Sequence, residues 1–318
     1  MKKLIIIIVC TTTLITVIGL SFLLEFLIFK NTKFDEKHDL DIFCDFKIKD
    51  TINDGNNQKA KVVFLAGQSN ATGISRVDYL KENISEDKFG QYNNGFDNVY
   101  INYFCDNGRN FSEGFEKVGV DMGCEKGYFG PELGMAEILS DEYDKVFIIK
   151  YSWSGSSLIQ HWLGDNAEGV SMYDAFSKFS LMSLNYLISK NYDIDISAMC
   201  WMQGEGDCRQ YYYDRYDKAL DKFVSDMRNM FSAYDSEIAF IDAGISDSPL
   251  WGYYKEINTQ KEAFSKIDDK NFYIDTIGQN LHYNQEPTSS PDIAHYDSLS
   301  MIKLGNLFAE SIIDYNKK

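Results

Sequence analysis

Four short stretches of this sequence contain residue types that together perform acyl transfer. "GQSN" contributes Ser69, whose hydroxyl is a candidate nucleophile. "DIAH" contributes Asp292 and His295, so one loop can carry a general base and the carboxylate that orients it. A serine, a histidine and an aspartate in these roles form and hydrolyse an acyl-enzyme. Each signal alone has a structural alternative, because Ser69 or Asn70 can simply cap a helix and a lone D-x-x-H spacing is weak.

The other two stretches supply neutral hydrogen-bond donors. "YSWSGSSLIQHW" places Gly155 in a serine-rich turn, where a backbone N–H can be exposed, and "WMQGEGD" contains Gln203. An amide donates hydrogen bonds without adding charge, which suits a transient oxyanion. The alternatives are a flexible loop and a polar turn. We expect the neighbouring Glu205 and Asp207 to brace this turn rather than to act as acids.

His295 is favoured as the base among only four histidines. His38 precedes the first apolar strand-like run. His161 and His282 are the rivals, but neither has an aspartate at this spacing within a loop that opens a helix.

Alternating strand-like and helix-like segments must position these residues. The apolar runs are typical of parallel strands buried on both faces, and helix-like segments separate them. This alternation predicts an open parallel α/β sheet, whose site lies beyond the carboxyl ends of the strands. The runs are "KVVFLA", "NVYINYF", "KVFIIKY", "ISAMCWM", "EIAFIDA" and the weaker "NFYIDT".

Composition restricts the partners. Of 318 residues, 44% are hydrophobic and 25% are charged, which is ordinary for a globular protein, and the formal net charge is −17. This acidity argues against a nucleic-acid partner and against docking on anionic lipid through charge.

The N-terminal segment differs from the rest of the chain. After two lysines, the chain is apolar from Leu4 to about Leu24, or ~20 residues, which suffices to cross ~30 Å of hydrocarbon. This predicts an uncleaved signal anchor over residues 1–30, a juxtamembrane spacer over 31–59 and a catalytic domain over 60–318. The domain would lie outside the cytoplasm, at the cell surface or in the periplasm. The alternatives are a secreted domain, if the segment is cleaved, and a buried core helix.

Six cysteines follow no zinc-binding spacing. Cys10 lies in the apolar segment and Cys44 in the spacer. An extracytoplasmic domain makes Cys105–Cys124 and Cys200–Cys208 candidate disulfides, with free buried thiols as an equal alternative.

Together the four stretches resemble the SGNH (GDSL-type) hydrolase superfamily, and most closely its sialate O-acetylesterase-like branch, which includes carbohydrate esterase family six. "GQSN", "GSSLIQHW", "WMQGEGD" and "DIAH" match the blocks of that branch, and "GPELGMAEIL" resembles a further stretch. The resemblance runs from about Lys61 to the C-terminus. It implies a flavodoxin-like three-layer α/β/α sandwich around a mostly parallel five-stranded sheet, preceded here by the predicted transmembrane helix.

The resemblance also implies the residue roles. Ser69 is the nucleophile, His295 the base and Asp292 its orienter, and neither a metal nor another cofactor is needed. The implied oxyanion hole consists of the Ser69 N–H, the Gly155 N–H and the Gln203 amide. Supporting residues are Gln68, Asn70 and Glu205.

Departures from the family pattern concern the pocket. Met202 stands where histidine is common, and Gly206 where serine is common. An insert from about Arg76 to Gly127 matches poorly, and we expect it to shape substrate access.

Trp153 and Trp162, together with Tyr211 to Tyr213, are candidates for stacking on sugar rings, with ordinary packing as the alternative.

The expected activity is removal of O-acetyl groups from a carbohydrate, such as a capsule, a xylan or a sialic acid. One alternative is a surface-polymer O-acyltransferase that uses the same triad. Another is a membrane-tethered glycan-binding module without catalysis.

Overall fold

Six parallel strands form the central sheet of the protein. The computed structural model describes residues 46–164, 171–283 and 285–318. All six predicted apolar runs are strands of this sheet. The strands, in chain order, are β1 Lys59–Gly67, β2 Ser75–Arg76, β3 Val99–Cys105, β4 Asn110–Phe111, β5 Glu116–Lys117, β6 Tyr128–Phe129, β7 Val146–Ser152, β8 Asp193–Met202, β9 Ala239–Ala243 and β10 Asn271–Ile274.

The order of the strands shows that the predicted five-stranded sheet is too small. The sheet runs β10-β9-β8-β1-β7-β3-β4, and β5 also pairs with β3. Without β3, the parallel strands follow the flavodoxin-like order β7-β1-β8-β9-β10. β3 lies in the predicted insert and pairs in parallel with β7, while the short β4 and β5 pair with it in antiparallel fashion. The insert therefore extends the sheet rather than only covering the site.

Helices cover both faces of this sheet, as predicted. They are α1 Ser69–Thr72, α2 Val77–Asn83, α3 Glu86–Asn94, α4 Glu132–Glu142, α5 Met172–Ser189, α6 Tyr216–Phe231, α7 Tyr254–Ser265 and α8 Ser298–Asn316. A π-helical turn spans Leu158–Trp162, and 3₁₀ turns span Glu205–Asp207 and Tyr213–Arg215.

Alternation along β1 shows how the two layers are separated. Val63 and Leu65 share a buried apolar cluster with side chains of α4 and α8. Phe64 points to the opposite face, where its ring centroid lies 5.6 Å from that of Phe176 in α5 and 4.6 Å from that of Phe231 in α6. Successive strand residues face opposite sides. The sheet is therefore buried on both faces at β1.

Four cysteines of the described chain are free thiols, so the candidate disulfides are not formed. They are Cys105, Cys124, Cys200 and Cys208. Burial raises the pKa of Cys105 and of Cys208 to about 12 each, which leaves both protonated and unreactive near neutral pH. Cys10 and Cys44 lie outside the described residues.

The predicted membrane anchor, residues 1–30, also falls outside the described residues, as does the spacer up to residue 45. Within the part of the chain that the structure describes, no helix has the length and apolarity needed to span a bilayer.

One buried ion pair holds the end of α1 in place. Lys150 on β7 and Glu132 at the start of α4 lie 2.9 Å apart, and both side chains are fully buried. The three protons of the Lys150 ammonium are all used, because it also donates to Thr72 O at 2.8 Å and to Met122 O at 3.0 Å. Thr72 is the last residue of α1. The pair therefore ties the helix that begins with Ser69 to both the sheet and the insert.

Lys150→Met is expected to destabilise the protein by ~3–5 kcal/mol, because it leaves the Glu132 carboxylate buried without its partner. Urea unfolding followed by tryptophan fluorescence would measure this loss. Lys117→Met is the matched control, since Lys117 pairs with Asp97 in an exposed setting. We expect no measurable change for that variant. Equal stability of the two variants would show that the buried pair contributes nothing.

Candidate active site

Ser69 lies at the sharp turn between β1 and α1. Gly67 has a φ of +145°, and a Cβ there would lie 2.0 Å from Met202 O, so only glycine fits. Gln68 N donates to that same carbonyl at 2.8 Å. Ser69 is the first residue of α1 and is 7% exposed. The capping position belongs to Gln68, whose side chain makes no capping hydrogen bond. The geometry therefore does not use the Ser69 hydroxyl as a cap, and the Ser69 N–H belongs to the unpaired first turn.

His295 and Asp292 form a hydrogen-bonded pair in the loop before α8. His295 Nδ1 lies 2.7 Å from Asp292 Oδ2, and Asp292 Oδ1 accepts from Ala294 N at 2.8 Å. Although burial raises the pKa of Asp292, the hydrogen bonds and charge of His295, with help from backbone N–H groups, lower it overall. The ionised carboxylate holds a proton on Nδ1, which leaves Nε2 as the basic nitrogen of the ring.

Asn70 connects the nucleophile turn to two other loops. Its Nδ2 donates to Glu205 Oε1 at 2.9 Å, and its Oδ1 accepts from Tyr296 N at 3.2 Å. Because Tyr296 follows His295, this bond brings the base loop to the helix of Ser69. No hydrogen bond joins the Ser69 hydroxyl to the His295 ring within the described residues. The structure thus brings the Ser69 turn and the His295 loop together, without a hydrogen bond between the two side chains in the described residues.

The rival histidines are occupied elsewhere. His161 Nδ1 accepts from Ser157 N at 2.8 Å. Burial, with a contribution from the charge of Arg209, lowers the pKa of His161 to about 4. The backbone of His282 pairs with Ser300 Oγ and Asp297 N at the start of α8. His295, by contrast, pairs with Asp292 at 2.7 Å.

Gly155 presents a backbone N–H on the loop after β7. Its φ of +72° is a left-handed conformation that favours glycine. The Gly155 N–H has no backbone acceptor within the described part of the chain. Trp153 N donates to Gly67 O at 3.1 Å, which anchors this loop beside the nucleophile turn. Gly155 can therefore offer a donor at the sheet edge that carries Ser69.

Gln203 has both amide protons engaged by protein acceptors. Its Nε2 donates to Asp207 Oδ2 at 2.7 Å and to Ser156 O at 3.0 Å. Its Oε1 accepts from Tyr216 Oη at 3.1 Å, which fixes the orientation of the amide. In this arrangement Gln203 holds the carbonyl next to Gly155 in place rather than pointing a free proton outward.

Asp207 holds the same loop in place through hydrogen bonds. The buried carboxylate accepts from Ser157 Oγ at 2.6 Å, from Leu158 N at 2.7 Å and from Gln203. Burial raises the pKa of Asp207, and the hydrogen bonds from Ser157 and Gln203 oppose that rise. Its charge also lies at the start of the π-helical turn Leu158–Trp162, where unpaired N–H groups favour an anion.

Gln68 and Glu205 connect the turns after β1 and β8. Gln68 Oε1 accepts from Gly206 N at 3.0 Å. A Cβ on Gly206 would lie 2.3 Å from Ser156 O, so glycine fits this position without a shift of the backbone. Burial raises the pKa of Glu205, and its Oε2 has no hydrogen-bond partner within the described residues. Glu205 therefore supports the turn through Asn70.

The two tryptophans predicted to bind sugar differ in position. Trp162 is fully buried, donates from Nε1 to Ser156 Oγ at 2.9 Å, and packs edge-on against Trp201 with 4.7 Å between ring centroids. It is a core residue, so the predicted stacking role is wrong for Trp162. Trp153 is half-buried on the Gly155 loop, and Tyr211 is 71% exposed.

Two structural residues of the site were missed from the sequence. Lys150 interrupts the apolar run "KVFIIKY", and Asp106 is a polar residue directly after the β3 run. A charge inside a buried strand and a carboxylate at a strand's carboxyl end were the available signals.

The chain matches the model of a known protein family over most of its length. Residues 59–314 match the model of a family described as carbohydrate esterase, sialic acid-specific acetylesterase. No curated protein sequence is significantly similar to the chain.

Three solved structures share the fold. A protein from Arabidopsis thaliana has a TM-score of 0.58 at 14% identity, covering 80% of this chain and 98% of its own. NanS has a TM-score of 0.58 at 13% identity, with 82% and 99% coverage. A carbohydrate acetylesterase from Xanthomonas citri has a TM-score of 0.51 at 12% identity, with 79% and 55% coverage. The family match extends over most of the chain, so the chain belongs to the carbohydrate esterase family of sialic acid-specific acetylesterases and is a carboxylic ester hydrolase.

Proposed function

We propose that this protein removes O-acetyl groups from a carbohydrate through a Ser69–His295–Asp292 acyl-enzyme mechanism. The observation that carries the proposal is the 2.7 Å contact between His295 Nδ1 and Asp292 Oδ2, in a loop that Asn70 ties to the Ser69 turn. A base with a fixed tautomer, in a loop held to the turn of a serine whose hydroxyl does not cap a helix, supplies the groups that nucleophilic catalysis requires.

In the first half of the reaction, His295 Nε2 takes the proton of Ser69 as Oγ attacks the acetyl carbonyl carbon. The carbonyl π bond opens and the negative charge moves to its oxygen. The Ser69 and Gly155 N–H groups are the proposed donors to this oxyanion. As the intermediate collapses, the bond to the sugar oxygen breaks and His295 returns the proton to that oxygen.

In the second half, water attacks the acetyl-enzyme. His295 takes a proton from the water, a second oxyanion forms at the same donors, and acetate leaves as Ser69 regains its proton. Asp292 stabilises the imidazolium in both halves without accepting the proton itself. Gln203 and Asp207 keep the Gly155 loop rigid, which matters because preorganised donors need no rearrangement at the moment of reaction.

The family description, carbohydrate esterase and sialic acid-specific acetylesterase, supports the choice of substrate. We propose an acetylated glycan or sialic acid as the substrate. The oxyanion donors and the triad need no metal or organic cofactor for ester hydrolysis.

A substrate panel tests this function. The full-length chain, purified in mild detergent, is expected to release acetate from p-nitrophenyl acetate, and faster from at least one of O-acetylated sialic acid, acetylated xylan oligosaccharide or acetylated capsule fragments. Acetate would be measured enzymatically. A parallel incubation with non-acetylated sugar detects transfer of the acetyl group to a hydroxyl acceptor. Transfer without acetate release would favour the O-acyltransferase alternative. Sugar binding without either product would contradict both enzymatic proposals.

A further inference from the structure

The turn after β3, the outermost of the parallel strands, reaches across to the Gly155 loop. β3 ends at Cys105, and Asp106 follows with a φ of +47°. Asp106 N donates to Ser152 O at 3.0 Å, and Arg109 N closes the turn on Asp106 O at 3.2 Å. The backbone of Asp106 is thus fixed against the end of β7, from which the Gly155 loop starts.

The Asp106 carboxylate clamps Ser154 with both oxygens. Oδ1 accepts from Ser154 N at 2.6 Å, and Oδ2 accepts from Ser154 Oγ at 2.9 Å. The same Ser154 hydroxyl lies 3.5 Å from Thr72 Oγ1, at the end of the helix that begins with Ser69. A carboxylate that accepts a backbone N–H forms a charge-assisted bond, stronger than a neutral one. The clamp therefore fixes the residue immediately before Gly155.

The other side of Gly155 is fixed independently. Ser156 O accepts from the Gln203 amide at 3.0 Å, and Ser157 Oγ donates to Asp207 at 2.6 Å. Gly155 lies between these two anchors with a left-handed φ of +72°, in a turn that Ser156 N closes on Trp153 O at 3.3 Å. The direction of its N–H depends on the peptide plane between Ser154 and Gly155. Releasing either anchor lets that plane rotate, because glycine itself imposes little restriction.

We propose that Asp106, carried by the insert, is a positioning residue that aims the Gly155 N–H at the oxyanion. The inference rests on the proposed function and adds a role for the insert. Asp106 lies 48 residues before Ser154 in the chain and outside the four stretches that predicted the site. The additional parallel strand β3 then contributes to catalysis, since the turn that follows it carries the Asp106 carboxylate.

Two substitutions at position 106 distinguish the role of the Asp106 carboxylate from that of the backbone conformation. Glycine adopts the left-handed conformation of residue 106 without strain, so Asp106→Gly removes the clamp alone. Asparagine also tolerates this conformation, and its side-chain oxygen can still accept from Ser154 N. Asp106→Asn is therefore the conservative rescue.

In p-nitrophenyl acetate hydrolysis we expect Asp106→Gly to lower kcat about 10- to 100-fold, with KM changed less than about threefold. The reason is that the Gly155 N–H stabilises the oxyanion of the transition state and contributes little to binding of the ground-state ester. Asp106→Asn is expected to retain activity within about fivefold of the wild type. Hydrogen exchange should show faster exchange of the Ser154 amide in the Gly variant, with unchanged exchange in the central strands.

Asp54→Gly is the matched control. Asp54 also accepts one backbone and one side-chain hydrogen bond, from Asn56 N at 2.8 Å and Asn191 Nδ2 at 2.6 Å, but beside the amino end of β8. It should keep wild-type kcat. Wild-type kcat in Asp106→Gly would overturn the inference while leaving the proposed esterase intact, and so would an equal loss in Asp106→Gly and Asp106→Asn. A wild-type enzyme without turnover would instead overturn the proposed function, and this inference with it.

Discussion

Ser69→Ala is expected to lower acetate release by ~10³-fold or more. Without the hydroxyl no acyl-enzyme can form, and only the oxyanion donors and substrate binding remain, which together retain a small part of the catalysis. Ser69 is 7% exposed and makes no capping bond, so removal of its hydroxyl should leave the fold unchanged. The measurement is kcat/KM for p-nitrophenyl acetate and for the best acetylated sugar.

Ser85→Ala is the control for serine as a helix cap. Ser85 Oγ accepts from Lys88 N at 3.2 Å at the start of α3. Its loss should cost about 0.5–2 kcal/mol of stability and leave kcat/KM unchanged. The opposite pattern, a stability loss with activity retained for Ser69→Ala, would return Ser69 to a structural role and remove the triad from the proposed mechanism. A mass increase of one acetyl group on the wild type, absent from the variant, would support the acyl-enzyme directly.

The sequence was most informative where local signals decide the structure. Apolar runs such as "KVVFLA" and "KVFIIKY" became strands because burial on both faces leaves little else for them to form. The motifs after these runs then had to meet at one sheet edge, since parallel strands all end there. The sequence alone therefore groups Ser69, Gly155 and Gln203 into one candidate site.

Contacts between distant residues were not predictable in the same way. The orientation of the Gln203 amide depends on Tyr216 and Asp207, and the burial of Trp162 depends on Trp201 and Phe223 of other elements. A sequence pattern gives the residue type at a strand end but not the partners of its side chain. The sequence predicts β3 as a strand-like run but not its place in the sheet, because an insert with such a run can pair with either edge of a sheet or with neither.

Asp292→Asn is expected to lower kcat by ~10⁴-fold while leaving the structure of the loop intact. An asparagine side chain can donate to His295 Nδ1, which would move the ring proton to Nε2 and leave the nitrogen that must accept the Ser69 proton already protonated. The same change removes the charge that stabilises the imidazolium. The measurement is kcat as a function of pH for the wild type and for Asp292→Asn.

The stability of the two proteins should differ with a defined pH dependence. The folded-state pKa of Asp292 lies below the usual range of an aspartate, so its ionised form favours folding. This contribution is fully present above the unfolded pKa and disappears as the pH falls through the lower folded value. The stability difference between wild type and Asp292→Asn should therefore shrink towards zero in strong acid.

Asp297→Asn distinguishes the role of Asp292 from a general need for charge in this loop. Asp297 Oδ1 accepts from Ser300 N at 2.9 Å and caps α8, two residues after His295. Asparagine caps helices as well as aspartate, so activity and stability should both persist in this variant. If Asp297→Asn lost as much activity as Asp292→Asn, the effect would belong to the charge of the loop as a whole. If only Asp292→Asn lost it, the effect would belong to the His295–Asp292 pair, through the ring tautomer and the stabilised imidazolium.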